Sequence, residues 1–162
     1  MISVGVLLRE DQIDARAAVA RIGWRLVDNP FECDKTLLWM PSAPIDLAAF
    51  WPVIDWLDTW EMAVPLRPYS TLAQHIGTKE ERAASQPLLL DLRQPVYDSR
   101  VVLIRDCART RKLIKIWLQQ EALAGEDADL ALLRAVWKTK PLLLALPHTW
   151  AVAGGPKPVP KS

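Results

Sequence analysis

The feature that most constrains this chain is an alternation. Short apolar runs rich in β-branched residues are followed by stretches whose apolar residues recur at intervals of three and four. A run of the first kind suits a strand buried on both faces, and a stretch of the second kind suits a helix with one inward face. The clearest instance is residues 100–125, where the strand pattern RVVLIRD runs directly into CARTRKLIKIWLQQEALAG. Repeated along one chain, this alternation predicts an α/β fold in a single domain, with a mainly parallel or mixed sheet covered by amphipathic helices.

The same pattern places the other elements. Residues 2–8 (ISVGVLL) read as a buried strand, followed by a helix over QIDARAAVARIG with Asp11 as its N-cap and Gly23 just past its end. WRLV and KTLLWM read as further strands. Pro52 is favoured only in a first helical turn, so a helix is expected to start there. It would bury Val53, Trp56, Leu57 and Trp60 on one stripe and expose Asp55 and Asp58, with Glu61 nearby. Pro65 should confine the strand MAVPL to an end or an edge. A short helix is expected over residues 71–76, ended by Gly77, with a charged exposed segment after it. EDADLALLRAVWKTK reads as a helix capped by Asp127 or Asp129, with Leu130, Leu133, Val136 and Trp137 inward. PLLLAL reads as a last buried strand. Residues 1–150 thus form the expected α/β domain. Residues 151–162, AVAGGPKPVPKS, have the composition of a flexible Gly/Pro/Lys-rich tail.

Composition enters as a set of exclusions. A chain of 162 residues, half of them apolar and a quarter charged, fits one soluble globular domain. No apolar run approaches the roughly 20 residues of a membrane-spanning helix. The N-terminus lacks the pattern of a signal peptide. Cys33 and Cys107 are far apart in sequence, which fits reduced thiols and a cytoplasmic setting better than a disulfide. No Cys/His spacing suits a metal, and no cofactor motif is present. The net charge of +1 hides an asymmetry. Residues 1–99 hold 9 Lys/Arg against 14 Asp/Glu, and residues 100–162 hold 11 against 5.

Three places carry candidate chemistry. At the junction of RVVLIRD with its helix, Asp106 and Cys107 lie where a strand's carboxyl end meets a helix N-terminus. Such a place can lower a thiol's pKa or hold a phosphate, with Arg105, Arg109 and Arg111 adding charge. His148, after the last strand, would complete a nucleophile–base pair with Cys107 if the two strand ends adjoin. The set Asp91, Arg93, Asp98, Arg100 and Asp106 is a weaker acidic candidate for a divalent metal. The stripe Arg109, Lys112 and Lys115, with Arg105 and Arg111 beside it, could contact nucleic-acid phosphates. Each has a plainer reading as cap, turn or solvated helix face.

No catalytic motif of the elbow, phosphate-loop or dinucleotide type occurs. Tryptophan and proline are abundant instead, with 8 and 13 copies. The expectation is a non-enzymatic binding or accessory module that docks a protein partner. Trp51, off the expected helical stripe, is the foremost contact candidate. The alternative is a nucleic-acid-binding or nucleic-acid-processing protein using residues 100–115.

Overall fold

The structure, a computed structural model, describes residues 4–71, 95–124 and 128–151. The expected helix beyond Thr71, the charged segment after it, His75, Asp91, Arg93, Gly125, Asp127 and the segment 152–162 lie outside these residues.

Seven strands form one mixed sheet: β1 Val4–Leu8, β2 Arg25–Leu26, β3 Lys35–Trp39, β4 Met62–Thr71, β5 Pro95–Tyr97, β6 Val101–Arg105 and β7 Leu143–Leu146. Their order is β2-β1-β3-β6-β4-β5, with β7 on the other edge of β4. β1 pairs in parallel with β2 and β3, and β7 in parallel with β4. β6 lies antiparallel between β3 and β4, and β5 is antiparallel to β4. Five strands therefore run one way and the two consecutive strands β5 and β6 run the other, so the sheet is mixed.

Among the described residues four α-helices cover it: α1 Ile13–Ile22, α2 Trp51–Trp56, α3 Ala108–Ala124 and α4 Ala128–Thr139. Two 3-10 turns, Leu47–Phe50 and His148–Ala151, complete the described elements. The second holds Ala151 buried, although the sequence placed that residue in the tail.

The period of two sorts the strand residues onto two cores. Val101 and Leu103 of β6 join Val4, Val6, Leu37, Val53, Ile54 and Leu57 under α1 and α2. Val102 and Ile104 join Leu38, Met62, Val64, Leu113, Trp117 and Leu132 under α3 and α4. A smaller cluster of Val96, Leu130 and Leu133 extends the second core beneath β5. β1 can approach β3 closely because Gly5 has no side chain; a Cβ there would lie 3.1 Å from Thr36 Oγ1 and 3.2 Å from Cys33 Sγ.

Local details correct several expectations. Gln12, not Asp11, holds the N-cap position of α1 and makes no side-chain cap bond. The Asp11 carboxylate instead accepts from Arg16 Nε at 2.6 Å. Gly23 ends the helix as expected, at φ 82°, in the left-handed region. The Gly23 and Trp24 N–H groups donate to the carbonyls of Ala20 and Val19, closing the last turn. Pro65 is at neither an end nor an edge of β4. It lies inside β4, in register with Leu146 of β7, and on the other edge it falls between the β6 pairing at Ala63 and the β5 pairing at Leu66. α4 buries far more than one stripe. Leu130 through Val136 are all buried, and it is Trp137 that remains partly exposed. β7 was expected to be buried, but among its four residues only Leu146 is.

α2 departs most from expectation. It has six residues, and its inward positions are Val53 and Ile54, with Leu57 just beyond. Trp56 and Trp60, expected to anchor it, are 44% and 36% exposed. Ile54 fills the inward position because the helix follows a 3-10 turn and ends too soon for a four-position stripe to develop.

Candidate functional site

The carboxyl end of β6 meets the starts of β4, β7 and α3, and Glu61 ties them together. Sequence reading treated Glu61 as an exposed neighbour of α2. It is buried, with 8% of the residue exposed. Its Oε1 accepts the Leu142 N–H at 2.8 Å and Arg109 Nη1 at 3.4 Å. Its Oε2 accepts the Cys107 thiol at 3.3 Å and lies 4.0 Å from Arg105 Nη2. Burial pushes the Glu61 carboxyl up, but the Leu142 N–H, the thiol and the two guanidinium groups outweigh it and hold it below its ordinary value.

Each other member of this end also has a partner. Thr110 Oγ1 donates to the Arg105 carbonyl at 2.6 Å and accepts the Cys107 N–H at 3.1 Å. Arg105 Nη1 donates to the Asp58 carbonyl at 2.9 Å. Asp106, expected as a helix cap, instead receives Arg111 through Nε at 2.6 Å and Nη2 at 2.9 Å. That fork holds the Asp106 carboxyl below its ordinary value. Lys35, buried on β3, donates to the Ile54 carbonyl at 2.8 Å and pairs with Asp58 at 2.6 Å. Arg105, Cys107 and Arg109 converge on Glu61, while Asp106 pairs with Arg111 alongside. These partners are internal, and the arrangement latches four elements together.

His148 does not join them. Met62 is in register with Ile104 at the end of β6 and with Leu143 at the start of β7. β7 then runs away from that end, so His148 is separated from Cys107 by at least the length of β7, about 10 Å. The antiparallel placement of β6 removes the nucleophile–base pair.

The acidic set is divided in the same way. Asp98 and Arg100 lie at the start of β6 and Asp106 at its end, on opposite sides of the sheet's length. Asp98 is clamped by Arg100, with Nη2 at 2.8 Å from Oδ2 and Nε at 3.0 Å from Oδ1. The dominant partner in this group is a residue that sequence reading offered only as a cap. Asp129 is 6% exposed and accepts the Ser99 N–H at 2.8 Å, the Ser99 hydroxyl at 2.5 Å and Arg67 Nε at 2.6 Å. Among the described residues no group of His, Cys, Asp and Glu has the arrangement of a metal site. The one signal in sequence was that Asp129 falls in the first turn of a strongly apolar helix.

The basic stripe is real but partly neutralised. Arg109, Arg111, Lys112 and Lys115 are all exposed along α3. Arg109 is engaged by Glu61 and Arg111 by Asp106. That leaves Lys112 and Lys115 as the stripe's members outside those two pairs.

Aromatic surface is the remaining feature. Trp51, Trp56 and Trp60 are 44%, 44% and 36% exposed within ten residues. Trp51 and Trp56 are held in place by ring contacts. Trp51 meets Trp24 edge-on at 5.2 Å, and Trp150 meets both Phe50 at 5.0 Å and Trp56 at 6.5 Å. Asp55 and Asp58 are exposed among them. No helix among the described residues is long and apolar enough to cross a membrane. Comparison with known proteins finds no matching family model, no matching curated protein and no matching solved structure.

Proposed function

We propose that this chain is a docking module that binds a protein partner through the tryptophan face of α2. The observation that carries this reading is the exposure of Trp51, Trp56 and Trp60 on one six-residue helix and the turn after it. Exposed indole surface costs free energy in water, and a partner that covers it recovers that cost. Tryptophan loses little conformational freedom on contact and is enriched among the residues that dominate interface energies. Asp55 and Asp58 beside the rings favour a partner with basic residues around an apolar patch. Trp51, the contact candidate from sequence, is one of the three.

The polar clusters support this reading by elimination. The Glu61 and Asp106 carboxylates at the β6 end are met by protein donors, and among the described residues the thiol has no histidine base near it. The nucleic-acid alternative retains Lys112 and Lys115 as its unengaged cations on the stripe. Two phosphate contacts would give weak binding with a shallow salt dependence.

The test is quantitative capture of partners by the full chain, compared with Trp51→Ala/Trp56→Ala and with Lys112→Ala/Lys115→Ala. Docking through α2 requires the tryptophan variant to lose a partner that the lysine variant keeps, with both variants still folded. Equal capture by all three chains would sink the reading. Salt-sensitive binding of a nucleic acid lost only in the lysine variant would replace it with the alternative.

A further inference from the structure

We infer that the α2 tryptophan face binds the chain's own residues 156–161, PKPVPK, in cis, as an intramolecular competitor for the partner surface. The inference rests on the docking reading above and names how that face is regulated.

Three observations support it. The first is position. Ala151 is buried in the 3-10 turn that carries Trp150, and the Trp150 ring lies 6.5 Å from that of Trp56. The described chain thus ends beside the face. The four residues 152–155 span up to about 14 Å when extended, enough to pass from Trp150 across Trp56.

The second is chemistry. Residues 156–161 contain three prolines at alternate positions. Proline-rich segments are recognised by exposed aromatic rings because a proline ring packs flat on an indole and little chain entropy remains to be lost. Six residues in polyproline geometry extend about 19 Å. α2 with the turn to Trp60 is ten residues, about 14 Å if helical throughout. The segment is long enough to cross both Trp56 and Trp60.

The third is charge. Residues 45–62 contain Asp46, Asp55, Asp58 and Glu61 and no lysine or arginine. Residues 152–162 contain Lys157 and Lys161 and no acid. Glu61 is buried and Asp46 accepts the Ala48 N–H, which leaves Asp55 and Asp58 to face the lysines. The Asp58 side chain is 69% exposed even while it holds Lys35, so its carboxylate is within reach of a second cation.

The experiment compares the full chain with the full-length variant Pro156→Ser/Pro158→Ser/Pro160→Ser by indole N–H resonances, assigned with single Trp→Phe variants. The expected result is movement of the Trp56 and Trp60 signals with the Trp117 signal unchanged, since Trp117 is wholly buried on the other face of the sheet. The difference should be independent of protein concentration and should shrink in high salt and in Asp55→Asn. Identical Trp56 and Trp60 signals in the two chains would overturn the inference. So would a difference that disappears on dilution, which would assign the contact to a second copy. Partner capture separates the two claims. If Trp51→Ala/Trp56→Ala loses the partner while the proline variant leaves the indoles unmoved, the docking reading stands and the cis contact fails. If the cis contact holds, the proline variant captures more partner than the parent chain.

Discussion

The layer of α3 and α4 and the layer of α1 and α2 cover opposite faces of one sheet, and they treat tryptophan in opposite ways. On α3, Trp117 has no exposed surface, and Arg9 stacks over its ring at 4.6 Å while also pairing with Glu121 at 2.7 Å. On α2, the helix buries Val53 and Ile54 and turns its tryptophans outward. Length explains the difference. α3 has 17 residues and α4 has 12, enough for several turns each and a broad shared interface, so a large side chain can be enclosed from all sides. α2 has six, and a helix that short can enclose only the side chains directly beneath it. The longer layer encloses its tryptophan, and the shorter one leaves its tryptophans at the surface.

The comparison can be broken in four places. Replacing Trp117 with alanine removes a fully enclosed ring and should cost about 3–5 kcal/mol in a urea titration. A loss near that for Trp56 would show that the two layers are equally closed. Asp129→Ala should cost less, about 1–3 kcal/mol, because the buried Ser99 donors would lose their acceptor while Arg67, partly exposed, would keep its longer pair with Asp98. A loss under about 1 kcal/mol would mean that water reaches this cluster as freely as it reaches α2.

Glu61→Gln should cost about 1–2 kcal/mol at neutral pH, since its arginine partners are partly exposed. The effect should depend on pH. The folded-state value of Glu61 is lowered, so its stabilisation is present above the ordinary carboxylate value and is lost as pH falls through the lowered one. Wild type should therefore lose more stability than Glu61→Gln between neutral and strongly acidic solution. Parallel stability–pH curves would show that Glu61 is not held as a charged hub. The smallest effect belongs to Trp56→Ala, about 1 kcal/mol, the worth of a partial burial and one edge contact with Trp150. The same substitution should have the larger effect on partner binding, and a variant harmless to both would remove α2 from the argument.

Some of this was legible in the chain itself. The alternation of β-branched runs with three-and-four repeats marked β1, β3, β6, α1, α3 and α4, because period and burial are properties of neighbouring residues. Gly23 marked the end of α1 because only a residue without a Cβ takes its left-handed φ cheaply. Asp106 and Cys107 were placed correctly at a strand end beside a helix start for the same local reason. Reading α2 as a long stripe failed because periodicity assumes the helix continues, and nothing local showed that it stops after Trp56.

What only the tertiary structure decided is direction and partnership. β6 enters antiparallel between β3 and β4, and that one choice sends His148 to the far end of the sheet from Cys107. It also brings Glu61, 46 positions from Cys107, to the thiol it accepts from. Strand pairing joins residues far apart in sequence, and its energy lies in the ladder and the two cores and not in any segment alone. The sequence by itself determined which residues can be strand, helix and core. The assembled sheet decided which charges neutralise one another and which tryptophans remain outside.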